Sequence, residues 1–491
     1  MPFPYNDLRE FIADLEKEGE LIRIKTPVSH DLEITEITDR VSKEKGAANK
    51  ALLFENVIGH TIPVVTNLMG SNKRMCMALG VKDLDEIGDR IRDTVNPMNL
   101  FPPSSSLMEK IGNLPKLAEL ASVFPKVVNK APCQEMVITG DMLDLTKLPV
   151  LKCWPDDGGP FITLPMVCST DPNTGATNVG MYRIQIYDAK TTGMHWHKHK
   201  DGAKQYNIRS DRGEKRMEVA IAIGADPATI FSASAPLPPI VGEFMFSGFL
   251  RKKHLEVVQC KTVDVKVPAH AEIVLEGYVE LGEMRTEGPF GDHTGYYSLA
   301  DEFPVFHCTA VTMKKDPIYP ATIVGRPPQE DAYMGKATER IFLPLLQMVA
   351  PEVLDYDMPV EGGFHNMVIV KIKKRYPGHA RKVMNTIWGT GLLMLTKTIV
   401  VVDDDVNIHD YHEVMWKVLN HIDPKRDLVF MEGPLDNLDH AAPLLAYGSK
   451  VGIDATKKIP GEGFTREWPD EIIMSDDIKA LVDKKWKDYG F

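Results

Sequence analysis

The stretches Glu272-Ile-Val-Leu-Glu-Gly-Tyr-Val-Glu-Leu281 and Val305-Phe-His-Cys-Thr-Ala-Val-Thr-Met313 decide the fold class of the central part of this chain. Both are rich in β-branched and aromatic residues, which suit a pleated surface better than a helix. Similar runs recur around them at Gly180–Tyr187, Glu218–Ile223 and Val257–Val267, separated by turn clusters such as Asp171-Pro-Asn-Thr-Gly175. Many short strands between turn signals predict a barrel or sandwich from about residue 136 to 318.

Outward from this centre the texture changes. Toward the C-terminus, Lys336–Met348 has a helical pattern, and Met367–Ile372, Thr398–Val402 and Leu428–Phe430 read as strands. Helices are expected between them at Gly378–Trp388 and His409–His421, the latter with Val414, Val418 and Leu419 on one face. Alternating strand and helix predicts βαβ units and a parallel sheet. Residues 440–463 read as a long loop, and Asp470 to Tyr489 as a terminal helix carrying Ile478, Leu481 and Trp486. Toward the N-terminus, Leu8, Phe11, Ile12 and Leu15 mark a helix capped by Asn6 or Asp7. Strands are expected after Gly19 and at Ala51–Phe54 and Ile62–Leu68, so this end is an α/β domain. Pro102-Pro-Ser-Ser-Ser106 reads as a linker and Leu107–Val128 as helical.

The chain has 491 residues, enough for two to four domains. Its formal net charge of −12 argues against a generic nucleic-acid binder, which needs a basic field. The six cysteines include no C-x-x-C, which fits a reducing compartment and predicts a cytoplasmic enzyme. No apolar run approaches the length of a membrane span, and the N-terminus lacks the layout of a signal peptide. Motifs for a P-loop, a zincin, an α/β-hydrolase and a dinucleotide-binding fold are also missing.

Five constellations could carry chemistry. In Glu287-Gly-Pro-Phe-Gly-Asp292-His293 a tight turn can aim two carboxylates into one cavity, where their pKa values split and serve general acid/base work. The alternative is a solvated hairpin. In Asn178-Val-Gly-Met-Tyr-Arg183, alternation puts Met181 and Arg183 on one face and Tyr182 on the other. An inward Arg wants a carboxylate or phosphate, whereas a surface Arg wants nothing. In His195-Trp-His-Lys-His199, a strand would put His195, His197 and His199 on one face, either as a metal or phosphate site or as an exposed polar edge. Glu243 is a lone acid among apolar neighbours, and Lys397 stands just before a strand followed by Asp403-Asp-Asp405, read as a polar loop.

Taken in order, these segments resemble the UbiD family of prenylated-FMN-dependent decarboxylases. The likeness runs through Tyr5-Asn-Asp-Leu-Arg-Glu-Phe11, Leu32-Glu-Ile-Thr-Glu-Ile37, Ala51-Leu-Leu-Phe-Glu-Asn-Val57, Asn178-x-Gly-x-x-Arg183 and Gly224-Ala-Asp-Pro-Ala228. It continues through Ile273-Val-Leu-Glu-Gly277, Glu287 to Gly295, Gly325-Arg-Pro-Pro328 and Gly448-Ser-Lys-Val-Gly-x-Asp-Ala-Thr456. The resemblance implies an α/β multidomain protein: an N-terminal α/β domain (1–120), a central flavin-reductase-like split β-barrel (121–318), a C-terminal α/β domain (319–465) and a C-terminal helix (466–491) that could serve as an oligomer contact. It implies reversible non-oxidative decarboxylation through a covalent adduct with prenylated FMN, a cofactor supplied by a flavin prenyltransferase. Manganese and potassium ions are implied beside it.

By the same resemblance, Asn178, His199 and Glu243 match the metal positions. Met181, Tyr182, Arg183, His195, Trp196, His197, Lys200, Asp201 and Lys397 match cofactor-lining positions. Arg183, Glu287 and Asp292 match the catalytic network, with Arg183 holding the substrate carboxylate and Asp292 donating the proton. Asp at this last position is one methylene shorter than the Glu the family often uses. The Asp292-His293-Thr-Gly-Tyr-Tyr297 form is similar to the quinone-pathway branch, whose substrate is 3-polyprenyl-4-hydroxybenzoate. Such a substrate would bring the protein into peripheral membrane contact. A naphthoic acid of the menaquinone pathway or a simple hydroxybenzoate is the alternative, with Ile323, Arg326 and Leu444 to Tyr447 expected near the pocket. Rival classes are an FMN-dependent oxidoreductase, a His₃ zinc hydrolase and a non-catalytic carboxylase subunit. The family forms homo-oligomers, from dimers to hexamers.

Overall fold

The computed structural model describes residues 3–95, 122–197, 200–238 and 241–490. The expected linker at 102–106 and most of the expected helix at 107–128 lie outside these residues. Its last three residues form a strand instead: Lys126–Val128 pairs in parallel with Glu256–Gln259. The two β-branched valines after Pro125 favour that extended pairing over a helical turn.

The N-terminal helix, Leu8–Lys17, is capped by Asp7, whose carboxylate accepts from Glu10 N at 3.0 Å. It buries Leu8, Phe11, Ile12 and Leu15, the face its periodicity marks. Leu21–Ile24, Ala51–Phe54 and Val64–Thr66 follow as a sheet. Tyr319–Ala321 completes this sheet, parallel to Val64–Thr66, so the chain returns to the first unit after leaving the second.

The central unit is an antiparallel sheet ordered Thr191–Gly193, Asp301–Met313, Ile273–Glu287, Arg216–Ile223, Pro165–Thr170, Thr177–Gly180, with Met136–Thr139 also paired to Asp301–Met313. The sheet is open among the described residues, consistent with a split barrel. Both faces are buried: Val219, Ile221 and Ile223 enter one core, while Ala220 and Ala222 enter the other. Two-sided burial explains why these strands read as nearly continuous apolar runs. The Val257–Val267 run is a hairpin of two strands, Glu256–Gln259 and Lys266–Pro268. Its tip is held by the buried Glu276 carboxylate, which accepts from Lys261 N and Thr262 N. Gly180–Tyr187 is likewise interrupted: Thr177–Gly180 and Ile184–Gln185 flank an irregular segment carrying Met181, Tyr182 and Arg183.

The C-terminal sheet runs Val353–Asp357, Met367–Ile372, Thr398–Val402, Tyr447–Asp454, Leu428–Pro434. Its three central strands are parallel, as the βαβ reading requires. The third parallel strand is Tyr447–Asp454, however, inside the expected loop, and Leu428–Pro434 is an antiparallel edge. The strand was hidden because small and charged residues occupy core positions. Gly452 lies under Met384 and Trp388, where a Cβ would stand 2.5 Å from Met384 Sδ, and Lys450 is buried at 2% exposure. Leu419 also departs from expectation: it is exposed, and the Tyr411–His421 helix buries Val414, Lys417 and Val418. Lys417 reaches Glu471, an ion pair that gives its ammonium a reason to be covered. The terminal helix spans Asp476–Lys485 and leaves Ile478, Leu481 and nearby Trp486 exposed.

Candidate active site

The longest strand ends in the chemistry. Ile273–Glu287 delivers Glu287, fully buried, to the end of the central sheet. The chain then turns through Gly288 at φ 93°, a conformation that favours glycine, and returns Asp292 to the same place. Two neighbours fix this turn. Asp157 accepts from Gly291 N at 2.7 Å and from Trp154 N at 2.8 Å, and Gln185 accepts from Gly288 N at 2.8 Å.

Arg183 joins the two acids. Its Nε and one terminal nitrogen donate to Glu287 Oε1 at 3.1 and 2.9 Å, and its other terminal nitrogen donates to Asp292 Oδ2 at 2.5 Å. The guanidinium lies 4.6 Å above the Phe290 ring, which adds a cation–π contact and helps exclude water. The turn is therefore not a solvated hairpin. Burial pushes the Glu287 carboxyl up, but the His195 hydrogen bond and the Arg183 charge outweigh it and hold it below its usual range. Burial likewise opposes the charge on Asp292, and His293 with Arg183 hold it well below the carboxylate range.

His195 and His197 lie in an irregular segment just past the Thr191–Gly193 strand, not on a strand as expected. They nevertheless face each other. His195 Nδ1 meets Glu287 Oε2 at 2.8 Å, and its Nε2 meets His197 Nε2 at 2.5 Å. Burial depresses the pKa of His195, and burial with the adjacent His195 lowers His197 to about 3. Neutral rings then assign the network: His195 Nδ1–H donates to Glu287, and His197 Nε2–H donates to His195. This use of both His195 nitrogens weakens the His₃ zinc reading. His199 is outside the described residues, and among those no group of three His, Cys, Asp or Glu could hold a metal ion.

Glu243 and Asn178 form a second locus. Glu243 opens the Glu243–Arg251 helix, and its Oε2 accepts from Val179 N at 3.0 Å, next to Asn178 on the Thr177–Gly180 strand. Burial pushes the Glu243 carboxyl up to about 7. Tyr182 and Trp196 are buried in the core, Met181 packs on the opposite core, and Lys200 and Asp201 sit exposed at the start of the Asp201–Asp211 helix. Lys397 pairs with Asp439 at 2.9 Å on the loop after Leu428–Pro434.

Two histidines were not singled out for their own chemistry in the sequence. His293 Nδ1 lies 3.0 Å from Asp292 Oδ1, and His293 Nε2 lies 3.0 Å from His365 Nε2. His365 in turn lies 4.0 Å from Asp436. The only sequence signal for His365 was its place in Gly362-Gly-Phe-His-Asn366, a turn-rich segment leading into the apolar strand Met367–Ile372.

Three family descriptions match in order: the 3-octaprenyl-4-hydroxybenzoate carboxy-lyase N-terminal domain over residues 12–91, its Rift-related domain over 126–327 and its C-terminal domain over 332–455. An uncharacterized protein of Archaeoglobus fulgidus is 53% identical over 485 residues, covering 99% of this chain and 98% of its own. The closed form of vanillic acid decarboxylase from Sedimentibacter hydroxybenzoicus superposes with a TM-score of 0.85 at 29% identity, covering 99% of each chain. The UbiD-class enzyme HmfF from Pelotomaculum thermopropionicum, in complex with FMN, gives 0.79 at 29% identity over 97% of this chain and 99% of its own. With three successive domains matched and a relative more than half identical from end to end, the chain belongs to the UbiD family of prenylated-FMN-dependent carboxy-lyases.

Proposed function

We propose that this chain carries out the reversible non-oxidative decarboxylation of an aromatic carboxylic acid at the Arg183, Glu287 and Asp292 network. One observation carries the reading. A guanidinium has five N–H donors. Three go to Glu287 and Asp292, and five minus three leaves two for a substrate carboxylate. Arg183 binds and orients that carboxylate, Glu287 keeps Arg183 aimed, and Asp292 delivers the proton to the carbon that lost CO₂. When bound, prenylated FMN supplies the electrophilic carbon that draws off the electron pair released with CO₂.

The donor chemistry fits the expected metal. Glu243 is a half-buried acid with one oxygen on a backbone N–H and no cationic partner among the described residues. A divalent cation such as Mn²⁺ would relieve that, with the Asn178 amide and His199 as further ligands, and K⁺ nearby. The buried Trp196 indole N–H has no protein acceptor among the described residues, as expected of a donor beside a ligand. Met181, Tyr182, His195, His197, Lys200, Asp201 and Lys397 complete the assigned cofactor contacts.

The substrate assigned first is a 3-polyprenyl-4-hydroxybenzoate in quinone biosynthesis, on the Asp292-His293 form of the site. A smaller aryl acid resembling vanillate is the second reading, favoured by the superposition on vanillic acid decarboxylase. The protein is assigned to the cytoplasm as a homo-oligomer. Among the described residues no helix is long and apolar enough to cross a membrane.

Expression with and without a flavin prenyltransferase tests this. CO₂ release is then assayed from prenylated 4-hydroxybenzoate, vanillate, 4-hydroxybenzoate and a naphthoic acid. Release that appears only after co-expression, with the prenylated flavin mass bound, is the expected result. A protein that binds plain FMN and oxidises nicotinamide would sink the proposal.

A further inference from the structure

The proton donor raises a difficulty. Asp292 must hand a proton to carbon, yet it sits 2.5 Å from a guanidinium, an environment that keeps a carboxyl ionised. The neighbouring ring resolves it. His293 meets Asp292 Oδ1 twice, through Nδ1 at 3.0 Å and through its backbone N–H at 2.8 Å. Its far nitrogen meets His365 Nε2 at 3.0 Å, and Phe364 stacks on its face with ring centroids 5.1 Å apart. His293 belongs to the central unit. His365 and Phe364 belong to the segment entering the C-terminal sheet, so the contact bridges the two.

We infer that His293, not Asp292, stores the catalytic proton at rest, and that His365 positions His293 by accepting its second N–H. This rests on the carboxy-lyase reading of the site. The groups facing His293 agree with it: Asp292 on its own turn, Asp331 from the Glu330–Val349 helix, and Asp436 and His365 from the C-terminal unit. Burial opposes a charge on His293, but the Asp292 hydrogen bond outweighs it and raises the pKa. Burial drives His365 down to about 4, so it stays neutral with Nε2 as an acceptor. In the forward step the proton leaves His293 Nδ1 and makes Asp292 a neutral acid. Asp292 then passes it to the carbon holding the electron pair from the broken C–C bond, and CO₂ departs. The site is left with neutral His293 and ionised Asp292. After product leaves, a proton from water in the cleft re-enters through Asp292. The net reaction consumes one proton per CO₂, as decarboxylation of a carboxylate requires.

Proton positions can be read without turnover. Neutron diffraction on D₂O-exchanged crystals of the protein co-expressed with flavin prenyltransferase should show deuterium on both His293 nitrogens and none on Asp292. Deuterium on Asp292 with a singly protonated His293 would overturn the inference, even if the enzyme decarboxylates. A doubly protonated His293 in a protein that releases no CO₂ from any acid would instead remove the functional reading on which the proton's catalytic use depends. Histidine ¹⁵N titration of His365→Leu and His365→Gln separates positioning from packing. His365→Leu removes the acceptor and should lower the His293 midpoint by roughly one to two pH units. His365→Gln keeps an acceptor and should restore most of it. Equal midpoints in all three proteins would overturn the role of His365.

Discussion

Glu287, fully buried, and Glu243, half-buried, are glutamates at element ends whose carboxyls move in opposite directions. Glu287 ends a strand and meets Arg183 and His195, so its pKa falls despite burial. Glu243 begins a helix and meets one backbone N–H, so burial wins and carries it to about 7. Burial alone would push the more buried Glu287 higher, so the protein cation beside it is what reverses the order. The Arg183 network is electrically complete from this chain alone. At the Glu243 locus, no cation among the described residues reaches the carboxylate.

That contrast breaks most violently at Arg183. Arg183→Ala strands Glu287 and Asp292 without their shared cation. Removing one partner of a buried ion pair costs about 3–5 kcal/mol, so chemical denaturation should show a loss of that size at neutral pH. CO₂ release should fall on the order of 10³-fold through loss of the carboxylate-binding donors. A variant that stays as stable as the wild type would mean the acids do not depend on Arg183. Glu287→Gln tests the same network from the other side. Its amide oxygen still accepts from His195, so the fold should hold. Activity should drop by about 10²-fold as Arg183 loses its aim, and the variant should lose less stability in acid than the wild type. The sign follows from the direction of the shift. A depressed carboxyl contributes stability that is present above its unfolded pKa and lost as pH falls through the folded one. An unchanged acid limb in Glu287→Gln would contradict the pairing.

The two loci were also unequally legible in the sequence. Arg183, Glu287 and Asp292 stood out as charges beside glycines and a proline in a β-rich setting, and the family likeness joined them. Elements with clean periodicity, such as Met367–Ile372 and the Leu8–Lys17 helix, could be read directly because their apolar faces are what pack. Tyr447–Asp454 could not. It uses Gly452 for close helix approach and buries Lys450, so tertiary packing overrode the local pattern. The histidine segment at 195–197 kept its shared face while losing its strand, because Glu287 orders the rings rather than a ladder of backbone bonds. The contact from His293 to His365 spans 72 residues and two units, a separation that no local motif encodes.

The smallest effect is the one that sharpens the contrast, because its sign reverses. Glu243 has its folded pKa raised from 4.5 to about 7. A raised carboxyl contributes stability below its unfolded pKa and loses it as pH climbs through the folded value. The rise from 4.5 to about 7 has a ceiling of about 3.4 kcal/mol, which partial exposure reduces to roughly 2 kcal/mol. Without cofactor or metal, wild-type protein should therefore weaken between pH 4.5 and 7, and Glu243→Gln should be the more stable of the two at pH 8. Added Mn²⁺ should recover the deficit in the wild type and do little for the variant, as thermal melts with and without the ion would show. If Mn²⁺ raises both melting temperatures equally, the ion binds elsewhere. If the variant is no more stable at pH 8, Glu243 already has a countercharge within the chain, and the distinction between the two glutamates fails.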